Sequence, residues 1–287
     1  MRQNRSHATS AARASQLLER ALGYSANGDY RRAETCLRKA LKSAERSTGG
    51  FVIDRPALWN ELGMVCKYLG KFDAAERYYR LALWHVRLHP QSPEREFFLA
   101  NLYHNLGGVE HSRRRFAIAE KYAREGLEIR LKCTRHDSLA IASDRAALAA
   151  ILDGRHRYGE SKRCYFDALN VYRREYGASH PEIAVVLNNL GALYHGTGRP
   201  NLAESYYRAA LRMKRRELGA SHPDVGVTMN NLAMLYRHKG SCELAESWFK
   251  KALRILDSSL GSSHPATREL RNNQRKQQGA RFRRKKW

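Results

Sequence analysis

Apolar residues recur along the chain at the spacing of amphipathic helices, and these helices come in pairs. A clear pair lies between residues 180 and 211. The inward face of its first helix has the spacing i, i+3, i+4 and i+7 and consists of Leu187, Leu190, Gly191 and Tyr194. After a turn at Gly198-Arg199-Pro200, a similar face returns in a second helix with Ala203, Tyr207 and Ala210. The pattern therefore predicts helix–turn–helix units whose small residues let two backbones approach closely.

The helical pairs repeat with a period of 42 residues. HPEIAVVLNNLGALYHGTGRPNLAESYYRAAL begins at His180, HPDVGVTMNNLAMLYRHKGSCELAESWFKKAL begins at His222, and a shortened copy begins at His264. Inward leucines recur at the same period, after a first interval of 44 residues, as Leu62, Leu106, Leu148, Leu190 and Leu232. A fixed period of this length is typical of a solenoid, in which each unit buries its apolar face against its neighbours. It favours a binding scaffold over an enzyme.

Six copies of the unit can be aligned. The small residue that opens the second helix is Ala33, Ala75, Ala119, Ser161, Ala203 or Ala245, and the one that closes its inward face is Ala40, Ala82, Gly126, Ala168, Ala210 or Ala252. This unit resembles the tetratricopeptide repeat, a helix–turn–helix motif of ~34 residues. The longer units, with their Leu-Asn-Asn-Leu and His-Pro signatures, resemble the kinesin light chain subtype. The resemblance implies an all-α fold, a right-handed α–α superhelix of about six repeats with a C-terminal cap helix.

The period also predicts the domain organisation. We expect one solenoid over residues 8–274, with repeats that begin near residues 14, 56, 100, 142, 184 and 226. A partial copy from His264 is expected to form the cap helix, because a solenoid needs a polar outer face at its end. Residues 275–287 lack periodicity and are predicted to form a basic, disordered tail.

Composition adds a strong positive charge to this picture. The net charge is +24, and the stretch from His264 onward contributes +8, so the preceding residues carry +16. Such a charge favours acidic peptides, nucleic acid or anionic surfaces as partners. The longest purely apolar run, Ala146 to Leu152, is far too short to span a bilayer, so we expect no membrane insertion.

The cellular setting is predicted to be cytoplasmic. The five cysteines show neither a CxxC pair nor a regular framework, and no secretory segment is visible. Arg2, Arg5 and Arg13, in a stretch without acids, imitate an organelle transit peptide. However, Leu17 and Ala21 already lie in the register of the first repeat, which favours the cytoplasmic interpretation.

The resemblance implies that one face of each first helix lines a concave groove that holds extended or helical peptides. In kinesin light chains the matching asparagines contact cargo, and Asn188 and Asn230 inherit that role by resemblance. The alternative is that these amides bond neighbouring helices or water, and for the histidines a solvated or interhelical role is the competing interpretation. The predicted groove residues are Asn60, Lys67, Asn101, His104, His111, Asn188, His195, Asn230, Arg237 and His238. We therefore expect a scaffold that binds an extended or acidic peptide segment of a partner protein.

A second hypothesis is an adaptor associated with nucleic acid. Basic residues interleaved with aromatic ones can bind phosphates and stack on bases. The predicted contacts are Arg113, Arg114 and Arg115 in a turn, and Arg281, Arg283, Arg284, Lys285 and Lys286 in the tail. A tail of this kind can also be merely solubilising, and self-association through an exposed solenoid end is a third alternative.

The middle copies depart from the pattern. Glu110 replaces an inward apolar residue, and Arg145 stands where other copies have aromatic or aliphatic residues. A buried charge needs a partner, so we expect Glu110 and Arg145 to pair, the alternative being a looser joint. The turn glycines of the other copies are replaced by Arg114 and His156.

Catalytic motifs are absent from the sequence. There is no phosphate-binding glycine loop, nucleophile elbow or zincin helix, so neither an enzymatic activity nor a cofactor is expected. His180, His222 and His264 recur one per repeat, and helices of successive repeats lie at least ~8–10 Å apart, too far for a shared zinc ion. These histidines are predicted to begin helices, and no metal site is expected.

Overall fold

The computed structural model describes the backbone of residues 2–45, 55–134 and 137–284 and the side chains of residues 12–44, 55–134 and 137–275. Within these ranges the chain forms thirteen helices and no strand. The helices belong to two compact units, Met1–Asp137 and Ser138–Trp287. The all-α repeat architecture predicted from the sequence is confirmed.

Three helical hairpins form the first unit. They are α1 (Arg2–Ala26) with α2 (Tyr30–Glu45), α3 (Arg55–Tyr68) with α4 (Phe72–Arg87), and α5 (Pro93–Ser112) with α6 (Phe116–Lys132). Within the unit, each hairpin's second helix packs against the first helix of the next hairpin. The core thus runs along the stack and does not form a single centre.

Three hairpins and a final helix form the second unit. They are α7 (Ser138–Gly154) with α8 (Tyr158–Tyr176), α9 (Pro181–Gly196) with α10 (Pro200–Glu217), α11 (Pro223–His238) with α12 (Cys242–Ser259), and then α13 (Pro265–Arg284). Helix α13 packs on both α12 and α11, and buries Thr267 and Leu270. It occupies the place of the predicted cap helix.

Close packing within the hairpins depends on small residues, as the pattern predicts. All six residues that open the second helices, from Ala33 to Ala245, are fully buried. A Cβ atom on Gly191 would lie only 2.6 Å from Cδ1 of Tyr207, and one on Gly63 only 2.5 Å from Cε1 of Tyr79. Glycine is therefore required at these two positions, because a tyrosine of the second helix lies against the first helix there.

The turns within the hairpins share one backbone conformation. Gly28, Gly70, Gly198 and Gly240 have φ between 71° and 77°. Arg114 and His156 take the same left-handed conformation, with φ of 61° and 62°. Left-handed backbone costs an L-residue roughly 1–2 kcal/mol, so these two turns keep the geometry at the expense of strain.

The histidines of the His-Pro signature begin helices, as predicted. Nδ1 of His180 accepts a hydrogen bond from Glu182 N at 3.3 Å, and Nδ1 of His222 accepts one from Asp224 N at 3.2 Å. His264 does the same for Ala266 N at 3.1 Å. Each ring satisfies a backbone N–H that the first helical turn leaves without a partner.

The end of the chain differs from the prediction. Helix α13 continues to Arg284, so residues 275–284 are helical where the sequence predicted disorder. Arginine, lysine, glutamine and alanine are good helix formers, and only Gly279 interrupts them. Lys285 and Lys286 lie outside the described residues.

Candidate functional site

The ten predicted groove residues all lie on the first helices of their hairpins. We call this surface the first-helix face, and each unit carries five of its residues. In the first unit they are Asn60 and Lys67 on α3 and Asn101, His104 and His111 on α5; in the second they are Asn188 and His195 on α9 and Asn230, Arg237 and His238 on α11. Lys67 and His111 occupy the same position in successive repeats, as do His195 and Arg237.

Asparagine pairs join successive first helices in both units. In the first unit, Asn105 Nδ2 donates to Asn60 Oδ1 at 2.8 Å. In the second, Asn231 Nδ2 donates to Asn188 Oδ1 at 3.1 Å. The interhelical alternative for these amides is therefore present in the structure. The sequence analysis missed Asn105 and Asn231 as partners, although the doubled asparagines were a visible signal.

These bonds use only part of what each amide offers. A side-chain amide has two N–H donors and two lone pairs on its oxygen. Asn60 also donates to Glu61 Oε1 at 3.3 Å, and Asn188 to Asn189 Oδ1 at 3.3 Å. Asn188 is only 8% exposed. Asn60 is thus the more accessible of the two for a ligand.

Asn101 accepts a hydrogen bond from a buried arginine. Arg130 of α6 is 2% exposed, and its Nη2 donates to Asn101 Oδ1 at 2.7 Å. The guanidinium also lies 4.6 Å from the ring centroid of Phe97. The neighbouring copies have Val86 and Tyr172 at the position of Arg130. The sequence therefore shows an arginine at an inward position, which is the signal that could have predicted a buried charge and its partner. Asn101 is therefore at least partly structural.

Lys67 lies over the next repeat of the first unit. Its Nζ would be 3.4 Å from a Cβ atom on Gly108, and it lies 5.1 Å from the ring centroid of Tyr68. The absence of a side chain at Gly108 leaves room for the ammonium group. His111 lies at the end of α5, with its ring 5.6 Å from that of Phe116. A cation and an imidazole therefore end the first-helix face of this unit.

The corresponding part of the second unit is a histidine pair. His195 Nε2 and His238 Nδ1 are 2.6 Å apart, and the ring centroids are separated by 4.6 Å. Burial lowers the pKa of His195, and the nearby His238 and Arg237 lower it further. A shared hydrogen bond requires one ring to donate and the other to accept, so the pair is favoured with at least one neutral imidazole.

Arg237 and Asn230 complete this face. Arg237 Nη1 donates to the backbone oxygen of Asn273 in α13 at 3.2 Å, and burial lowers its pKa. Asn230 Oδ1 is buried without a hydrogen-bond partner among the described residues. It is an acceptor that lacks a donor, which is uncommon in folded proteins.

Asp153 is an acidic member of this face that the sequence analysis missed. It occupies in α7 the position that His195 has in α9, 42 residues later. Burial raises its pKa to about 6, while His156 acts in the opposite direction. The repeat register contained the signal, because four other copies hold a basic or imidazole side chain at the equivalent position and only this copy has a carboxyl group there.

Arg113, one of the predicted nucleic-acid contacts, does not present the exposed guanidinium that such a contact requires. Its side chain is 11% exposed and lies within a cluster of carboxylates. Nη1 donates to Glu110 Oε1 at 2.7 Å and to Glu76 Oε2 at 2.5 Å, and Nη2 donates to Asp73. Burial alone would lower the pKa of Arg113, but the hydrogen bonds to Glu76 and Glu110 raise it. An arginine held in this way has no free N–H fork for a phosphate.

The same cluster corrects the expected partner of Glu110. This residue is 4% exposed, as its inward position predicts, and Arg113 and Arg115 of its own turn lie at 2.7 and 3.5 Å. The charge is thus neutralised without Arg145. Arg114 and Arg115 are exposed. The side chains of Arg281, Arg283 and Arg284 lie outside the described residues.

Comparison with known proteins decides the family. One family model described as tetratricopeptide repeat matches residues 13–83, 139–216, 197–258 and 224–274, and a second model of that description matches residues 99–132. The chain belongs to the tetratricopeptide repeat family. Its repeats therefore form an all-α superhelical fold that is generally non-catalytic and serves protein–protein interaction.

Solved structures agree with the fold. BtubC (BKLC) from P. vanneervenii is 22% identical, with a TM-score of 0.53, over 92% of this chain and 94% of that one. The apo form of RapI is 13% identical, with a TM-score of 0.58, over 84% and 97%. A Rap protein complexed with Competence and Sporulation Factor is 13% identical, with a TM-score of 0.61, over 92% and 87%. No curated protein matches the chain.

Two further findings concern the described part of the chain only. None of its helices combines the length and the apolar character needed to cross a membrane. Its His, Cys, Asp and Glu side chains form no group of three or more that could hold a metal ion.

Proposed function

We propose that this protein is a non-catalytic scaffold whose first-helix face binds an extended or acidic peptide segment of a partner protein. One observation carries the proposal. Lys67, His111, His195 and Arg237 end four first helices with nitrogen donors. Such donors suit the carboxylates and backbone carbonyls of a peptide.

The asparagine pairs support a peptide over a compact ligand. They join neighbouring first helices, with 2.8 and 3.1 Å between the amide atoms, and leave at least one donor and one lone pair on each bonded amide. A row of amides at repeat spacing can follow an extended backbone. The charge of +24 favours acidic side chains on that peptide. The Rap protein solved with Competence and Sporulation Factor indicates that a fold of this kind can hold a separate ligand.

The five cysteines are free, and Cys36, Cys66 and Cys133 are buried. Free thiols fit a reducing compartment, so we propose a cytoplasmic setting.

Selection of peptides from a random library, with the whole chain as bait, tests the proposal. We expect the selected peptides to be rich in Asp and Glu. A fluorescent copy should bind the Lys67→Glu variant at least about tenfold more weakly, since one charge-assisted contact is worth ~1.4 kcal/mol or more. Arg163→Glu is the matched control, because it makes the same charge change at an exposed residue of α8. Equal weakening by both variants would show that only net charge matters and would refute the groove assignment.

A further inference from the structure

Helix α4 of the first unit carries three large apolar side chains on its exposed surface. Leu81, Trp84 and Leu88, the last of which caps the helix, follow one another at the spacing i, i+3 and i+7 and so lie on one side of it. Trp84 is 63% exposed and Leu88 65%, and Leu81 is exposed as well. We call these three residues the α4 stripe. Helix α4 packs on α3 and α5, and neither contact covers the stripe.

The repeat itself does not require apolar residues at these positions. In the other five copies the equivalents of Leu81 and Leu88 are charged, except for Ala209 and Ser258. The residues equivalent to Trp84 are Lys42, Glu128, Asn170, Arg212 and Arg254. Five copies thus form the same hairpin with polar side chains where α4 has tryptophan, so the stripe is not needed for folding. Exposed apolar residues that form a group of this kind mark a surface of interaction.

Arginines border the stripe on the same exposed side of the helix. Arg77, Arg80 and Arg87 are all exposed, and no acidic residue occurs from residue 77 to residue 88. The two acids of α4 precede this stretch, and both pair with Arg113 of the next repeat. Glu76 pairs with Arg80 as well, at 2.8 Å. The surface around the stripe therefore has a positive potential, which suits an anionic partner.

We propose that the α4 stripe attaches the protein to an anionic lipid surface. Tryptophan and leucine enter the boundary between the headgroups and the acyl chains, while the arginines beside them contact lipid phosphates. The charge of the whole chain, +24, adds to the attraction toward such a surface. The stripe lies on a second helix. This proposal and peptide binding by the first-helix face can therefore fail separately.

Two other occupants fit the stripe less well. A helical peptide binds in a groove with apolar walls. The equivalent residues on the second helices of the adjacent repeats are charged, with Lys39 and Lys42 on α2 and Glu125 and Glu128 on α6. A second copy of the chain, bound through the same surface, would bring the arginines of one stripe against those of the other. A lipid surface needs no groove and supplies the negative charge.

Co-sedimentation with lipid vesicles tests the proposal. The vesicles contain phosphatidylcholine and phosphatidylserine in a ratio of about 2:1, and pure phosphatidylcholine is the neutral comparison. The stripe variant combines Leu81→Gln, Trp84→Gln and Leu88→Gln, which leaves the net charge unchanged. The control variant makes the same change at three exposed apolar residues on separate helices, Ile118, Leu202 and Leu244. Circular dichroism checks that both variants are folded.

We expect the wild-type chain to bind the mixed vesicles. The stripe variant should bind them at least about 30-fold more weakly, because three apolar side chains no longer leave water on binding. Pure phosphatidylcholine should bind the wild-type chain at least about tenfold more weakly than the mixture does. The control variant should stay within a few-fold of wild type. No binding by wild type, an unchanged affinity of the stripe variant, or an equal loss in the control would each overturn the proposal.

Quenching by brominated phosphatidylcholine, added to the mixed vesicles, shows whether Trp84 itself enters the lipid. Two proteins are compared in this experiment, one with Trp287→Phe and one with both Trp287→Phe and Trp84→Phe. We expect the lipid to quench the tryptophan emission of the first protein and to leave that of the second almost unchanged. Equal quenching of both proteins would show that Trp84 stays outside the lipid and would contradict the proposal.

Two further outcomes would show that the occupant is a protein. One is that vesicles do not bind, whereas a helical peptide of leucine and glutamate binds wild type and loses affinity for the stripe variant. The other is a wild-type dimer in solution that the stripe variant dissociates. Either result would overturn attachment to lipid.

Discussion

Arg113 of the first unit and Lys214 of the second unit are enclosed in contrasting ways. In the first, Arg113 meets three carboxylates, those of Asp73, Glu76 and Glu110. In the second, Lys214 is 3% exposed, and its only ion-pair partner among the described residues is Asp224, with Nζ and Oδ2 3.7 Å apart. Burial lowers the pKa of Lys214, and Asp224 offsets this only in part. In the first unit the enclosed charge is neutralised by several carboxylates. In the second it is compensated only in part, which lowers the stability of the folded state.

The contrast shows which charges hold the stack together. Arg113 connects the turn of one repeat to the second helix of the preceding repeat, as Lys71 does with Glu34 at 2.6 Å and Lys239 with Glu204 at 2.8 Å. Lys214 has no such set of partners. We therefore expect substitutions of the two buried cations to have opposite effects.

Arg113→Met should have the largest effect. Glu76 keeps its ion pair with Arg80, but the buried Glu110 is left with only Arg115 at 3.5 Å, and the free energy of unfolding should fall by about 3–5 kcal/mol. Urea or thermal unfolding measures it. Arg115→Met is the control, because Arg115 is exposed and lies 3.5 Å from Glu110. A loss no greater than that of the control would mean that the cluster does not stabilise the unit.

Lys214→Met should act in the opposite direction. It removes a charge that is buried without close compensation, and the free energy of unfolding should rise by about 1–2 kcal/mol at pH 7. The folded-state pKa lies below the ordinary value of 10.5, so wild-type stability rises as pH approaches 10.5 and the gain shrinks. Arg212→Met, at an exposed neighbour, should be near neutral. A destabilised Lys214→Met variant would show that Asp224 compensates the charge.

Asp153→Asn probes an acidic residue of α7, the first helix of the second unit. The folded pKa of about 6 exceeds the ordinary value of 3.8, so the folded state loses stability as pH rises from 3.8 through 6. The asparagine variant avoids this loss. After allowance for solvent screening, we expect a gain of about 1–2 kcal/mol above pH 6 and none below pH 3.8. A gain that does not vary with pH would contradict the assignment, and Asp167→Asn, at an exposed residue of α8, is the control.

The strained turns should give the smallest effects, one in each unit. Arg114→Gly and His156→Gly relieve a positive φ, but glycine costs entropy in the unfolded chain, so the net gain should be about 0.5–1 kcal/mol. His156 should gain less, because its Nδ1 lies 2.7 Å from the hydroxyl of Tyr158. Gly198→Ala is the reverse control and should destabilise. Thermal unfolding of the three variants measures these changes in stability.

Local periodicity made the hairpins predictable, because each helix needs only its own apolar face to be recognised. Contacts between repeats were harder to predict. The Asn60–Asn105 bond joins residues 45 apart, and which atoms meet depends on how the repeats stack. The Glu76–Arg113 pair joins residues 37 apart, the same separation as Glu34–Lys71, so the charge pattern did contain a signal. Arg113 was instead interpreted from its basic neighbours, which is why its burial was missed.

Site-specific photocrosslinking tests the proposed scaffold function most directly. A benzophenone probe at Met64 would lie on α3 between Asn60 and Lys67, whereas one at Trp84 would lie on the exposed side of α4. With an acidic peptide selected by the whole chain, we expect an adduct at Met64 and none at Trp84. An adduct at Trp84 without one at Met64 would contradict binding on the first-helix face.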